Sequence, residues 1–201
     1  MIRQDPLAFV FLAVALILAI SLHEYAHALA ADLQGDRLPR AMGRVSLNPA
    51  RHLDPLGTLL IFLVGFGWGK PVEFRRQALS SQRFGAAIVA LAGPLMNLVL
   101  AVVGAFGAVW AFRSGNDTFF LFFETFFFIN VVLAVFNLIP IPPLDGSRLL
   151  TIFLPPSKQH ILFFLDRYGM VILLLLLLFG GTVILDPLIQ AVSRFIANLA
   201  T

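Results

Sequence analysis

The chain of 201 residues contains no cysteine. This excludes a disulfide framework and any metal site built on thiolates. Charge is scarce too. Asp, Glu, Lys and Arg make up 12% of the chain, against about 25% in an ordinary soluble domain. Hydrophobic residues reach 59% and the mean hydropathy is +0.91, which excludes a soluble globular domain and predicts an integral membrane protein lying in a lipid bilayer. No loop is long enough for an inserted domain, and there is no fixed-period repeat or low-complexity linker, so residues 1–201 read as one membrane-embedded domain. The sequence pI is near 10.0, yet the 14 Lys and Arg are spread over short loops without a basic stripe of stacking aromatics. Charges that set membrane topology account for this, and nucleic acid is not an expected partner.

What the chain does have is long apolar runs. The first begins near Leu7 behind a short charged prefix, as a signal peptide would. Its apolar character continues to Ala31, about 25 residues, enough to cross a hydrocarbon core of about 30 Å. A retained helix over residues 6–31 is the better reading. Residues 86–112, 118–139 and 161–185 give three further spans. Residues 147–154 predict a short helix after a proline-rich break, and the tail 187–201 has apolar residues at helical spacing, as a surface-lying amphipathic helix would. The predicted fold class is therefore all-α and polytopic: about four full spans, a core over residues 6–154, a C-terminal span 161–185 and an amphipathic tail 187–201.

The first run carries "ISLHEYAHALA", Ile20–Ala30. On a helix, His23 and His27 lie one turn apart on one face, about 6 Å between Cβ atoms, so both imidazoles reach one metal ion. Glu24 projects beside them, placed to take a proton from a metal-activated water. Chance, or a pair of buried histidines satisfied by hydrogen bonds, would also give this pattern. Three ionisable groups in one turn of a membrane helix favour a functional site. A catalytic zinc centre commonly takes a third protein ligand and leaves a position open. Glu124, Asp145 and Asp166 are the acidic candidates in apolar surroundings. Asp145 lies in "NLIPIPPLDGSRLL", where prolines break the helix and deliver a carboxylate at membrane depth.

HEYAH in a membrane helix, with "NPARHLDPLGT" (Asn48–Thr58), "AGPLMN" (Ala92–Asn97) and "NLIPIPPLDG" following in that order, resembles the site-2 protease family of intramembrane zinc metalloproteases. The resemblance implies that His23, His27 and Asp145 bind one zinc ion per chain and that Glu24 is the general base. It also implies three core helices around the metal, with a re-entrant, partly β-structured segment after the first. His52 and Asn97 fall in the shared segments and are candidates to contact substrate or steady the reaction intermediate. No site for an organic cofactor is read. The expected substrate is a membrane-spanning protein, and the expected setting a prokaryotic cell membrane.

Elementary geometry agrees with re-entry. Thirteen helical residues over 56–68 rise about 20 Å, too little for the core. A true crossing there would put Asp145 on the side opposite the histidines. With a re-entrant segment, Arg37, Arg40, Arg44, Arg51, Lys70, Arg75, Arg76, Arg83, Arg148, Lys158 and Arg167 share one side. Arg3, Arg113 and Arg194 take the other, which makes the first side cytoplasmic. Short strands at Gly43–Leu47 and Val72–Phe74 are predicted to pair with an unwound substrate segment. The competing reading is a non-enzymatic metal-binding or metal-transporting membrane protein. It requires ligands along a path across the bilayer, whereas the ionisable residues cluster at one end.

Overall fold

The structure, a computed structural model, describes residues 6–64, 68–81, 84–154 and 158–201. Arg3, Gly65, Gly67 and Arg83 lie outside them. Helix α1 runs Pro6–Leu33, a short α2 Leu38–Ala41, α3 Pro55–Val64, α4 Gly85–Arg113, α5 Asp117–Asn137, α6 Gly146–Phe153, α7 Gln159–Leu175 and α8 Asp186–Ala200. Among the described residues four stretches are long and apolar enough to cross a membrane: Pro6–Leu33, Gly85–Arg113, Asp117–Asn137 and His160–Ala200. The protein is an integral membrane protein.

Helices α1, α4 and α5 pack against one another. Their contacts are built largely from alanine: Ala15, Ala19, Ala28 and Ala31 of α1 and Ala86, Ala87, Ala101 and Ala111 of α4 are buried. Small side chains let membrane helices approach closely, where dispersion contacts replace the hydrophobic drive that lipid cannot supply. The bulky apolar residues point outward, with Leu178 and Phe179 exposed at 74% and 77%, as a lipid-facing surface requires.

The C-terminal region differs from its predicted form. The span expected at 161–185 and the surface tail expected at 187–201 form one uninterrupted helical rod. Its middle, Leu176–Leu185, is π-helical, with the Asp186 N–H bonded to the Gly181 carbonyl. Pro187 follows directly, and the wide turn absorbs the backbone bond that proline cannot make. The apolar face of α8 serves packing: Ile196 and Ala200 close a buried cluster with Ala101 and Ala105 of α4 and Val131 and Val135 of α5.

The chain leaves α1 and enters α4 at the same end of the bundle. The Gln34 carbonyl accepts from the Ser80 N–H at 2.9 Å, and the Gln34 side-chain amide donates to the Gly85 carbonyl at 3.3 Å. Buried Asp32 is forked by Arg40 (3.0 and 2.7 Å) and bonded by Arg37 (3.1 and 3.2 Å). Asp36 is wholly buried and accepts from the Arg75 side chain (2.9 and 3.1 Å), from the Arg75 N–H and from the Leu38 N–H. Burial opposes ionisation of Asp36, but these donors outweigh it and hold its carboxyl below the usual range. Between these ties, α3 makes an excursion of ten residues, about 15 Å of helix. The excursion starts at Asp54, whose Oδ1 accepts from the Gly57 N–H at 2.8 Å. It closes where Leu53 and Gly69 form an antiparallel bridge, and the Lys70 N–H reaches the His52 carbonyl at 2.7 Å.

That isolated bridge replaces the predicted β-structure. Among the described residues no strand forms, and neither Gly43–Leu47 nor Val72–Phe74 pairs with a neighbour. At Gly43 the backbone turns with φ +70°, and Arg44 next to it is buried rather than alternating outward. The β-branched Val45 of "GRVSLNP" carries strand propensity, but no partner runs alongside it.

Candidate functional site

The site is built from the end of α1, one stripe of α4 and the turn after α5. His23 and His27 lie on one face of α1, His27 six residues before the helix ends at Leu33 and so about 9 Å below that end. Val89, Gly93 and Asn97 recur every fourth residue on α4 and face them. Asp145 is delivered by the proline turn. The Ile141 N–H bonds to the Ile139 carbonyl at 2.8 Å, the Leu144 N–H to the Ile141 carbonyl at 3.0 Å, and the Ser147 hydroxyl to the Leu144 carbonyl at 2.6 Å. Gly146 lets this turn fold back on the end of α5, since a Cβ there would lie 2.3 Å from the Leu138 carbonyl.

Three ligand atoms converge. His23 Nε2 and His27 Nε2 are 3.0 Å apart, and Asp145 Oδ2 is 3.1 and 3.2 Å from them. A tetrahedral ion with bonds of about 2.0 Å has ligand atoms about 3.3 Å apart, so this triangle is one face of such a site. The hydrogen-bond partners on the far sides of the rings fix its chemistry. His27 Nδ1 is 2.6 Å from the Val89 carbonyl, which can only accept, so Nδ1 carries the proton. His23 Nδ1 donates likewise to Asn97 Oδ1 at 2.5 Å. In the neutral rings both Nε2 atoms then present lone pairs to each other and to a carboxylate oxygen. That arrangement is repulsive unless a proton or a metal ion enters the triangle, and around a metal ion it is a ligand set. Gly93 leaves the room, since a Cβ there would sit 2.4 Å from His27 Nε2 and 2.6 Å from His23 Nε2.

Glu24 is not part of the triangle. Its side chain is 14% exposed, and Oε2 lies 3.6 Å from Arg44 Nη2 with no hydrogen-bond partner. Arg44, 3% exposed, also donates to the Lys70 carbonyl and so ties Glu24 to the returning arm of the excursion. Gly69 lies over the same carboxylate, a Cβ there falling 3.4 Å from Oε1.

The structure does not bring His52 to the triangle. It is wholly buried, its Nε2–H donates to the Ser46 carbonyl at 2.6 Å, and its Nδ1 has no partner. Burial holds its pKa below the ordinary imidazole value, the Ser46 bond opposes this and the charge of Arg44 adds to it, so the ring is neutral. Asn97 is also wholly buried, with its oxygen on His23 and its amide nitrogen on Asn130 Oδ1 at 2.8 Å and the Ala19 carbonyl at 3.4 Å. It holds His23 from α4 and is itself held by α5 and α1. Glu124 and Asp166 are exposed and belong to no cluster of potential ligands among the described residues. Arg44, Gly93 and Asn130 escaped the reading of the sequence. The usable signal was for Asn130, a lone polar residue inside an apolar span.

Fold and site together define a class: a polytopic helical membrane protein with a pre-oriented His–His–Asp cluster that could hold a metal ion, its two histidines buried. Comparison with known proteins places the chain within that class. The profile of Peptidase family M50 matches residues 11–115 and 113–179, and the chain belongs to that family, the site-2 proteases. It is 37% identical over 192 residues to "Putative zinc metalloprotease YwhC" of Bacillus subtilis (strain 168), covering 90% of this chain and 86% of that protein. It is 33% identical over 178 residues to "Putative zinc metalloprotease Rip2" of Mycolicibacterium smegmatis, covering 85% and 67%. A shorter match, 44% over 62 residues and 31% of each chain, joins it to "Putative zinc metalloprotease MJ0611" of Methanocaldococcus jannaschii. No solved structure gives a significant match.

Proposed function

We propose that this chain is an intramembrane zinc metalloprotease that hydrolyses peptide bonds of membrane-spanning proteins near the cytoplasmic side of the bilayer. The observation that carries this is the triangle of lone pairs, with Glu24 next to His23 in sequence and held by Arg44. His23, His27 and Asp145 would hold one zinc ion per chain, and family membership and the relatives' names support zinc as the metal. Zinc, when bound, supplies Lewis-acid activation of water and of the scissile carbonyl. Asn97 and the Val89 carbonyl keep both Nε2 lone pairs aimed inward. Glu24 accepts the proton of the attacking water and returns it to the departing amine, the task of a general base placed beside the ligands.

The site lies about 9 Å inside one end of α1, a depth that suits a substrate peptide bond held within the bilayer rather than in water. The nearness of Gln34 to Ser80 and of Leu53 to Gly69 supports an excursion that returns to the side it left. The excess of Lys and Arg on that side supports a cytoplasmic opening. Relatives in a bacillus, a mycobacterial species and an archaeon support a prokaryotic cell membrane. The whole chain acts as one domain, with residues 6–154 as its catalytic core. Metal transport would need further ligand clusters along the bilayer, and among the described residues His23, His27 and Asp145 form the one such group. Addition of a substrate strand is no part of this reading, because the strands it would join do not form.

Purified protein in vesicles with a membrane-spanning reporter tests the proposal. The wild type should cut the reporter, and Glu24→Gln should keep its metal and leave the reporter intact. Cutting by Glu24→Gln at the wild-type rate contradicts the role given to Glu24.

A further inference from the structure

A chain of hydrogen bonds crosses three helices and ends at the metal site. Asn130, wholly buried on α5, sends its amide nitrogen to the Phe126 carbonyl at 2.8 Å. Its oxygen faces α4 and accepts from the amide nitrogen of Asn97 at 2.8 Å. The oxygen of Asn97 in turn accepts from His23 Nδ1 on α1 at 2.5 Å. The polarity of this chain is set at its far end. A backbone carbonyl can only accept, so Asn130 must turn its NH₂ toward Phe126 and its oxygen toward Asn97. Asn97 must then turn its NH₂ toward Asn130 and its oxygen toward His23. A neutral imidazole facing an acceptor at Nδ1 keeps its proton there and presents a lone pair at Nε2.

We propose that Asn130, which does not touch His23, is a positioning residue that sets the tautomer of His23 and thereby its ability to bind metal. Two acceptors face the nitrogen of Asn97, Asn130 Oδ1 at 2.8 Å and the more distant Ala19 carbonyl at 3.4 Å, so Asn130 supplies the stronger hold on its orientation. The oxygen and nitrogen of Asn97 differ little in shape, and with its amide reversed its oxygen would face the Asn130 oxygen and could no longer accept from His23. Reversed, its NH₂ would face His23 Nδ1 and favour the tautomer with the proton at Nε2, where no ion can bind. Asn130, through the shorter of the two bonds to the Asn97 nitrogen, supplies most of the hold against that reversal. His27 needs no such relay because its partner is a main-chain carbonyl. The inference deepens the reading of His23 as a zinc ligand and rests on it.

The test uses the full chain and two backgrounds. In metal-free protein, nitrogen NMR of labelled histidine should show His23 protonated at Nδ1 in the wild type and shifted toward the Nε2–H tautomer in Asn130→Leu. Zinc affinity, read by competition with a chromogenic chelator, should fall about tenfold to a hundredfold in Asn130→Leu, the usual effect of losing a group that orients a metal-bound histidine. Asp in place of Asn97 offers an acceptor in either orientation. Adding Asn130→Leu to Asn97→Asp should therefore cause no further loss, whereas a purely structural role for Asn130 would be felt equally in both backgrounds. Asn130→Asp still offers the Asn97 amide an oxygen to donate to in either protonation state, and should bind zinc as the wild type does. It provides the comparison if Asn130→Leu fails to fold. An unchanged His23 tautomer in Asn130→Leu, an equal loss in both backgrounds, or a loss in Asn130→Asp matching that of Asn130→Leu overturns the inference. If the wild type takes up no zinc, the metal reading fails, and the tautomer measurement still decides the role of Asn130.

Discussion

Gly93→Ala is a one-carbon change aimed at the metal site. The new Cβ would lie 2.4 Å from His27 Nε2 and 2.6 Å from both Cε1 and Nε2 of His23. Atoms in contact sit about 3.5 Å apart or more, so α4 and the two rings must separate by about 1 Å. Neither ring can retreat freely, because both are tied to the helix that carries the new methyl. His27 is bonded to the Val89 carbonyl at 2.6 Å and His23 to Asn97 at 2.5 Å, one turn to either side of Gly93. A retreat of about 1 Å takes both bonds past about 3.2 Å, beyond hydrogen-bond range. It also carries the ligand nitrogens well outside the tolerance of about 0.2 Å within which a metal site accepts its donors. Losing one such orienting bond typically lowers metal affinity tenfold to a hundredfold, so losing both should cost about 10²- to 10⁴-fold. The assay is zinc competition on detergent-solubilised protein. Gly181→Ala serves as control, because a Cβ at Gly181 meets nothing within 4 Å. Gly93→Ala binding zinc as tightly as Gly181→Ala would refute the placement of α4 against the two histidines.

Other outcomes follow from the same geometry. His27→Ala and Asp145→Ala should each lower zinc content, while Glu24→Gln should keep full zinc content and lose hydrolysis, as metal analysis beside the vesicle assay would reveal. Single cysteines at Gln34, Gln77 and Ser114 have no native thiol as background. In intact cells an impermeant reagent should label the Ser114→Cys protein alone, and labelling of Gln77→Cys without Gln34→Cys would place the ends of α1 and α4 on opposite sides. Asp36 stabilises the fold through a carboxyl held below its usual range, first against the cost of burial and then by Arg75 and Leu38. That stabilisation is present above the unfolded carboxylate pKa of about 4 and is lost as pH falls through the lower folded value. Asp36→Asn should therefore lower Tm at pH 7, with the gap to wild type closing in acid; a gap that does not change with pH would contradict the ion pair.

The parts of this protein that were legible in its sequence are those with a local signature. Helical spacing alone brings His23 and His27 to one face, and the prolines before Asp145 announce a break at membrane depth. The first, second and third long apolar runs give their spans to within a few residues. What the sequence hid depends on contacts between elements. Strand-like composition at Gly43–Leu47 promised pairing, but pairing needs a partner, and the excursion closes on a single bridge between Leu53 and Gly69. The amphipathic pattern after Pro187 reads equally as a face for the membrane surface or for α4 and α5, and packing decides for the bundle. The value of Gly93 is empty space, which has no signature until α1 lies across it. The link from Asn97 to Asn130 on α5 joins residues 33 apart in the chain and shows only once α4 and α5 are packed. Arg44 is one of many arginines in a short basic region, and only its burial beside Glu24 sets it apart.

The central claim is that two histidines and one aspartate hold a single catalytic zinc inside the bilayer. X-ray absorption at the zinc edge, on purified protein in vesicles, reads those ligands directly. The account predicts one zinc per chain, two imidazole nitrogens and oxygen donors all at about 2.0–2.2 Å. It predicts loss of one imidazole in His27→Ala and loss of the Asp145 oxygen in Asp145→Ala. A spectrum that shows no imidazole, or that is unchanged by both substitutions, would contradict it.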